Sequence, residues 1–584
     1  MHEENKLDGI RHSLAHLLAA AVLKKYPKAK LGIGPTIEHG FYYDILFPKA
    51  VSPEELKEFE KTMREFVRQK LPFSGRKVTP AEAKRLFKDQ PFKLDLIKEF
   101  VKEKKGLTVY KTGDIFLDLC RGGHVKSTTE INPDAFALSH IAGAYWRGSE
   151  KNPMLTRIYG LAFATKKELD AHLAMLEEAK KRDHRMLGKQ LKIYTFSDEV
   201  GQGLPLWLPN GEIIRHELEK WARETEDTRG YQHVVTPHIT KSDLFKISGH
   251  LPYYKDDLYS PFEIEGESYY LKPMNCPFTH MIFKSQQHSY RDMPVRYSEY
   301  GQVYRYERSG VLHGLMRVRG FCQNDAHIYV QPEKAVEEFI RVLELHRYYY
   351  EALGIKDWWV VLGVRDPKNL RAKYHGDNAM WEKAERMTRE ALKKAGVKYE
   401  VEEGGAAHYG PKADIYIRSA IGKSYAIGTD QLDLYMPQRF NLAYTDKDGS
   451  EKMPYIIHRA PLGSHERMVG FLLEHYAGAF PTWLSPVQAK VLPVAEAHVR
   501  YAEKVVAALK EKRIRVELSP ADETLGKRIR GAELEKVPYI LVVGEKEESG
   551  KSVNVRKRHV KETETVPLEK FAVTLAGEIA TRKR

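Results

Sequence analysis

Cysteine is scarce: the 584 residues hold only Cys120, Cys276 and Cys322, which excludes a disulfide framework and fits a reducing compartment. Long apolar runs are lacking too. The longest, such as residues 17–23, fall short of the ~18–20 residues a membrane span needs, so no membrane partner is expected. Internal repeats and low-complexity tracts are missing. The N-terminus, MHEENKLD, shows no basic stretch leading into an apolar block, so a cytoplasmic location without a secretory signal is expected. Hydrophobic residues at 42% and charged residues at 30% exclude a disordered chain and supply several cores. The length predicts about three to five domains. Lys and Arg outnumber Asp and Glu by 94 to 80, and the net charge of +14 favours an anionic partner, nucleic acid foremost.

The first ~60 residues read as mixed α/β, with a helix over about 10–24 and a strand at Gly40-Phe41-Tyr42-Tyr43-Asp44. Residues 165–187 have helical periodicity, with Leu169, Leu173 and Leu176 on one face. They open on Thr165-x-x-Glu168, a capping box. A domain boundary is placed at the end of this helix. Residues 188–484 are rich in Tyr, Phe and Val, and 296–307 (RYSEYGQVYRYE) and 423–434 read as strands of an antiparallel sheet. After Pro481-Thr-Trp-Leu-Ser-Pro486, strand-like and helix-like segments alternate in the βαβ manner of a parallel sheet. Residues 485–584 hold 21 basic and 15 acidic residues, a net of +6. The expected fold class is multidomain α+β and α/β, in three parts: 1–187, 188–484 and 485–584.

Chemistry-bearing residues fall into four groups. His12 and His16, at i and i+4, project from one helix face, and Cys120-Arg-Gly-Gly-His124 follows far downstream. Imidazole and thiolate suit zinc, but Ser13 stands where a His-Glu-x-x-His protease needs Glu, so that class is excluded. A hydrolytic pocket without metal is the other functional reading; read singly either pair is more often an ordinary core or surface feature, and both pairs in one domain weigh against that. Strand alternation in Tyr304-Arg305-Tyr306-Glu307 puts Arg305 and Glu307 on one face, where an Arg can hold phosphate or carboxylate bidentately. Leu462-Gly463-Ser464-His465-Glu466-Arg467 leads into a helix, and Arg467 adds a second fork. Alone, the first is better read as a surface salt-bridge strand, and the second reads as reasonably as a capped helix with an exposed Arg. Cys276, His327 and His458 are one thiolate and two imidazoles, a set that leaves a fourth zinc position open. No spacing rule joins residues so far apart, and as isolated positions they read as core.

Together the strings RHSLAHLLA, CRGGHV, DHRMLGKQL, KPMNCP, YRYERSGVLHGLMRVRGFCQNDAHI, YGPK, GTDQLD and IHRAPLGSHER resemble, in order, the threonyl-tRNA synthetases of bacteria, which are class II aminoacyl-tRNA synthetases. The resemblance covers essentially the whole chain. It implies an N-terminal α+β editing domain with a linker helix, a class II antiparallel-sheet catalytic domain, and a C-terminal α/β anticodon-binding domain. It also implies a start directly in the editing domain, without the ubiquitin-like domain of many bacterial relatives. The implied partners are threonine, ATP and tRNA(Thr), with a homodimer built on the segment around Gly230 and Pro237. The implied cofactors are one Zn2+ per chain on Cys276, His327 and His458, and Mg2+ with the ATP phosphates.

Residue roles carried over by the resemblance are specific. Arg305, Arg317 and Arg467 look like the phosphate and carboxylate clamps, Glu307 like the reader of the adenine amino group, and Ser464 like a further ATP contact. His250 looks like the group that helps the tRNA ribose attack the adenylate. Gln323, Asp325, Tyr409 and Gln431 are candidates for the polar shell around threonine. His12, His16, Lys93, Asp118, Cys120 and His124 are expected to edit, by hydrogen bonding rather than by covalent attack from Cys120. Glu547 and Arg556 resemble anticodon contacts. Departures from the family pattern are Ala426 at a position that holds a metal-near Gln in some relatives, Phe278-Thr279-His280 after Cys276-Pro277, and His465 at a commonly apolar position. A catalytically silent nucleic-acid-binding relative, another class II synthetase and a stand-alone metallohydrolase stay open as alternatives at this point.

Overall fold

A computed structural model describes residues 2–253, 255–366, 368, 374–419 and 422–582. The chain divides into two compact units, Met1–Glu177 and Glu178–Arg584. Among the described residues no helix is long and apolar enough to cross a membrane.

In the first unit, helix His2–Lys25 is longer than its sequence pattern predicts at the N-terminal end. It buries Leu14, Leu17, Leu18 and Val22 with Phe41, Tyr43 and Ile45 of strand Gly40–Leu46 and Phe59 and Met63 of helix Glu55–Arg68. The sheet behind it is antiparallel, with Gly40–Leu46 paired to Met154–Ala162 and that strand to Phe136–Tyr145. A second sheet of three strands, Phe73–Val78, Leu107–Thr112 and Phe116–Leu119, has its own small core of Ala83, Phe87, Ile97, Leu107 and Val109.

The capping box at residue 165 is present: Glu168 N donates to Thr165 Oγ1 at 3.2 Å, and Thr165 N donates to Glu168 Oε2 at 3.0 Å. The helix it opens, Lys166–Arg182, stops short of residue 187. Asp183 accepts from Arg185 N at 2.8 Å and so caps a new helix, His184–Gln190, which breaks the single expected helix in two.

The second unit is built on an eight-stranded sheet, mostly antiparallel. In spatial order its strands are Gln232–His233, Val295–Tyr304, Gly320–Val330, Tyr455–Ala460, Ser424–Asp433, Lys412–Arg418, Trp358–Val364 and Tyr399–Glu403. Helices Pro209–Asp227, Ala335–Ala352 and His465–His475 cover one face, with Trp221, Tyr349, Leu472, Ile457 and Leu362 in the core. The other face carries the chemistry. The first long strand ends at Tyr304, before Arg305 and Glu307, so strand alternation does not place those two residues. Beyond residue 488, Ala489–Pro493 pairs parallel with Val516–Leu518 and Tyr539–Val543, as the βαβ pattern predicts. Two further strands, Ser552–Lys557 and Thr563–Pro567, add antiparallel and make that sheet mixed.

Candidate active sites

Sheet register brings the first group together. His327 on Gly320–Val330 lies opposite His458 on Tyr455–Ala460, His458 lies opposite Gln431, and Gln431 lies opposite Lys412. Residues directly opposite in a ladder share a face, so one row across four strands carries His327, His458, Gln431 and Lys412. Alternation along Gly320–Val330 adds Gln323 and Asp325 to that face. Cys276, the first residue of helix Cys276–Lys284, completes the group. Its sulfur and the two imidazole nitrogens lie within 4.8 Å of one another. The three line a cavity of about 260 Å³ together with Arg305, Gln323, Asp325, Tyr409 and Gln431.

The electrostatics suit a cation. Burial pushes the Cys276 thiol well above its ordinary range, and burial followed by His458 holds His327 far below its own. His327 is therefore neutral, the form that ligates, whereas a thiolate at Cys276 needs a positive partner. His458 Nε2 donates to Asp433 Oδ2 at 2.9 Å, which orients the ring and leaves Nδ1 as its ligand atom. Asn275 Nδ2 donates to Asp325 Oδ2 at 3.1 Å, and Tyr409 hydroxyl donates to Gln431. The donor set and its surroundings fit zinc. His280, fully buried, sets its ring edge-on to His327 and His458 at 5.6 and 5.8 Å and bonds Tyr329 at 2.8 Å. The sequence pattern singles it out only as a departure.

A second cavity of about 310 Å³ shares Arg305, Gln323, Lys412, Thr429 and Gln431 with the first. Glu307, Arg317, Phe321, Ser464 and Arg467 also line it. Arg467 is held by two carbonyls: its Nε donates to Met316 O at 3.2 Å and its Nη1 to Ala426 O at 2.9 Å. Burial and then the charges of Arg305 and Arg317 lower its pKa, the signature of cations converging on an anion site. Arg305 donates to Pro273 O at 3.2 Å and lies 5.1 Å from the centre of the Phe321 ring. Phe321 offers an aromatic face in this cavity, and sequence reasoning missed it. Arg317 and Glu307 pair with each other at 3.0 Å. Ser464 caps helix His465–His475, accepting from Arg467 N at 3.1 Å. Ala426 lines this cavity and not the one with the cysteine, which Gln323 and Gln431 line. His465 is buried, stacked on Tyr300 at 4.7 Å.

His250 differs from the other expected catalytic groups. It is fully buried and lines neither cavity. Its Nδ1 bonds Ser248 Oγ at 2.7 Å, and Met274, which does line the first cavity, covers Nε2 at 2.8 Å. Burial and then His408 and Arg305 hold its pKa far down, so the ring is neutral.

In the first unit the distant pairs also meet. Cys120 Sγ lies 3.5 Å from His12 Nε2 and 3.2 Å from His124 Nε2, and Ser13 Oγ bonds His124 Nδ1 at 3.2 Å. Gly122 and Gly123 take φ of +100° and +86°, and a Cβ on Gly122 would meet the Tyr110 hydroxyl at 2.5 Å, so this turn requires glycine. Lys93 Nζ pairs with Asp118 at 2.6 Å and donates to the Tyr43 hydroxyl at 3.0 Å, and Tyr43 donates to Asp118. Tyr43 joins the group without any signal in the spacing. A cavity of about 500 Å³ is lined by His12, His16, Lys93, Asp118 and Cys120, with His124 set behind them against Phe73. Burial pushes the Cys120 thiol up to about 11 and holds His124 down at about 2. A thiol at about 11 is a poor nucleophile near neutral pH.

In the C-terminal region, Glu547 accepts from Gly544 N at 3.0 Å and so belongs to a helix cap. Arg556 is half-buried on Ser552–Lys557 and, among the described residues, makes no side-chain hydrogen bond or ion pair.

Comparison with known proteins fits this arrangement. Residues 260–476 match the tRNA synthetase class II core domain (G, H, P, S and T), 488–578 match the anticodon binding domain, and 107–159 match the threonyl and alanyl tRNA synthetase second additional domain. The threonine--tRNA ligase of Geobacillus kaustophilus is 47% identical over 580 residues, 99% of this chain and 88% of that protein. A threonine--tRNA ligase of Thermus thermophilus is 48% identical over 98% of this chain and 89% of its own length. A solved RNA binding domain of threonyl-tRNA synthetase from Cryptosporidium parvum superposes with a TM-score of 0.65 at 37% identity, covering 68% of this chain and 98% of that one. A putative threonyl-tRNA synthetase from Aeropyrum pernix superposes at 0.59 and 30% identity, over 69% and 96%. The chain belongs to the threonyl-tRNA synthetase family of class II aminoacyl-tRNA synthetases.

Proposed function

We propose that this enzyme attaches threonine to tRNA(Thr) through a threonyl-adenylate formed from ATP, and hydrolyses mischarged seryl-tRNA(Thr) in its N-terminal domain. The observation that carries the reading is the shared wall between the two cavities, where Arg305 stands between a Cys/His/His set and a convergence of arginines. An amino-acid carboxylate in the first cavity then faces the α-phosphate of ATP in the second. Charge developing there is stabilised by cations fixed before reaction, Arg305 and Arg467 being held by carbonyls at 3.2 and 2.9 Å. Arg317 would leave Glu307 for the ATP tail, freeing Glu307 to accept from the adenine amino group, and Phe321 offers a ring to stack on adenine. Magnesium when bound would neutralise phosphate charge.

Zinc when bound would ligate the amino and hydroxyl groups of threonine, with Cys276, His327 and His458 holding it. Gln323, Asp325, Tyr409 and Gln431 orient the substrate around that position. His250 assists the ribose step only once Met274 moves aside, since its Nε2 now faces that sulfur. We assign 1–187 to editing with its linker, 188–484 to catalysis and 485–584 to the anticodon, in a cytoplasmic homodimer formed around Gly230.

A pocket that accepts threonine also admits serine, since one methyl in a pocket is worth only about 10–200-fold. Editing corrects that shortfall by sterics. Lys93 and Asp118 form a buried polar floor that Tyr43 braces from behind, and His12 and His16 orient the ester or water. His12→Ala with His16→Ala is expected to slow deacylation of pre-formed seryl-tRNA(Thr) by about 10²-fold or more, with serine activation unchanged. Cys120→Ser is expected to keep most of the activity, because the Cys120 thiol stays protonated. Clearance by the double variant at the wild-type rate would place editing elsewhere.

Anticodon binding is testable by substitution more cleanly than by truncation. Deleting 485–584 is the natural sequence-based test, yet Arg515 bonds Glu217 at 2.6 Å and Arg558 bonds Ala479 O at 3.1 Å, both in the catalytic part. Truncation removes these supports. Arg556→Ala is expected to weaken tRNA(Thr) binding about 5–100-fold and leave threonine activation intact. Wild-type affinity should also fall steeply with salt as phosphate contacts release counterions. Unchanged affinity in the variant would remove Arg556 from the interface.

A further inference from the structure

We propose that His184, in the segment that follows the linker helix, is a positioning residue for ATP: it holds the loop that carries Arg317 against the helix that carries Arg467. His184 is fully buried and both ring nitrogens have protein partners. Nδ1 donates to Glu474 Oε1 at 2.8 Å, and Nε2 accepts from Leu315 N at 3.2 Å. A carboxylate only accepts and an amide only donates, so these partners fix one neutral tautomer. The grouping of Asp183, His184 and Glu474 is therefore a strut and not a metal position.

Each contact reaches the nucleotide cavity by a short path. Leu315 is followed by Met316, whose carbonyl accepts from Arg467 Nε at 3.2 Å, and then by Arg317; all three line the cavity. Glu474 lies on helix His465–His475, which begins with Ser464 and Arg467, and its second oxygen accepts from Tyr425 at 2.8 Å. The loop is thus clamped between His184 on one side and Arg467 on the other. Packing leaves no slack: a Cβ on Gly314 would stand 2.2 Å from His184 Nε2, and one on Gly470 3.2 Å from Leu315 Cβ. An imidazole at position 184 with both nitrogens committed sets where Arg317 and Arg467 stand relative to one another.

The inference rests on assigning this cavity to ATP, and the test separates the two. His184→Asn keeps an amide near Nδ1 for Glu474 and loses the acceptor for Leu315 N. His184→Gln places an oxygen near Nε2 for Leu315 and loses the donor to Glu474. In ATP–pyrophosphate exchange, His184→Asn should raise KM for ATP about tenfold or more, with KM for threonine unchanged within about twofold. His184→Gln, which cuts the strut at Glu474 instead, should raise KM for ATP as well. Gly314→Ala, whose Cβ would meet His184 Nε2 at 2.2 Å and so push the loop away from the imidazole, should reproduce the ATP defect with His184 itself unsubstituted. If KM for ATP stays at the wild-type value in His184→Asn and Gly314→Ala, or if KM for ATP and threonine rise together, His184 has no positioning role. Wild-type exchange and KM for ATP in Arg467→Ala, which removes a cation from the cavity wall, would overturn the cavity assignment and the inference with it.

Discussion

Arg467→Ala is expected to lower threonine-dependent ATP–pyrophosphate exchange by about 10²–10³-fold or more, because it removes charge stabilisation that matters most in the transition state. The guanidinium is fixed by Met316 O and Ala426 O and points into the cavity that Arg305 and Arg317 also enter. Burial first, and then the charges of Arg305 and Arg317, lower the pKa of Arg467, so a polyphosphate bound among these cations would offset their mutual repulsion. Arg467→Lys should fall nearly as far, since an ammonium cannot span two carbonyls and a phosphate with a planar fork. Arg305→Ala should behave alike, through its position on the wall between the cavities. Circular dichroism should show the fold retained, which separates lost chemistry from lost structure. Exchange within a few-fold of wild type would place the ATP site elsewhere.

Cys276→Ser is expected to abolish metal binding and threonine activation together. Purified wild type should carry about one zinc per chain, on one sulfur and two nitrogens by X-ray absorption. Zinc held there would supply selectivity against valine, which matches threonine in shape but offers no hydroxyl. A site built to bind a hydroxyl rejects an analogue without it by about 10⁴–10⁵. Loss of the metal should erase most of that preference, whereas replacing His280, which adjoins the set without belonging to it, should leave one zinc bound. An all-oxygen shell, or full activity after complete zinc removal, would contradict the assignment.

Local signals in the sequence predict local structure well. The Thr165–Glu168 capping box, the Ser464 cap before Arg467 and the βαβ alternation after residue 488 all have short-range causes, and all are present. Arg305 and Glu307 show where such reasoning fails. The strand expected to place them ends at Tyr304, and Arg305 is positioned instead by Pro273 O. Likewise, nothing in the residue spacing says that His327 and His458 are neighbours. Their meeting is a property of strand register, and register is decided by the packing of the opposite face, where Ile457 and Leu432 are buried. Tyr43 and Phe321 carry no local signature of their roles; the fold reveals them, Tyr43 by its bonds to Lys93 and Asp118 and Phe321 by its place in the cavity wall. The family resemblance supplies what periodicity cannot, and of the catalytic residues it names for the second unit only His250 stands outside both cavities, behind Met274.

The most direct test of the whole account is ATP–pyrophosphate exchange by the purified full-length enzyme with each standard amino acid in turn. Threonine should give the highest kcat/KM, serine should follow at about 10–200-fold lower, and valine should be about 10⁴-fold or more below threonine. A different amino acid activated better than threonine, or valine activated as well as serine, would contradict a metal-selected threonine pocket.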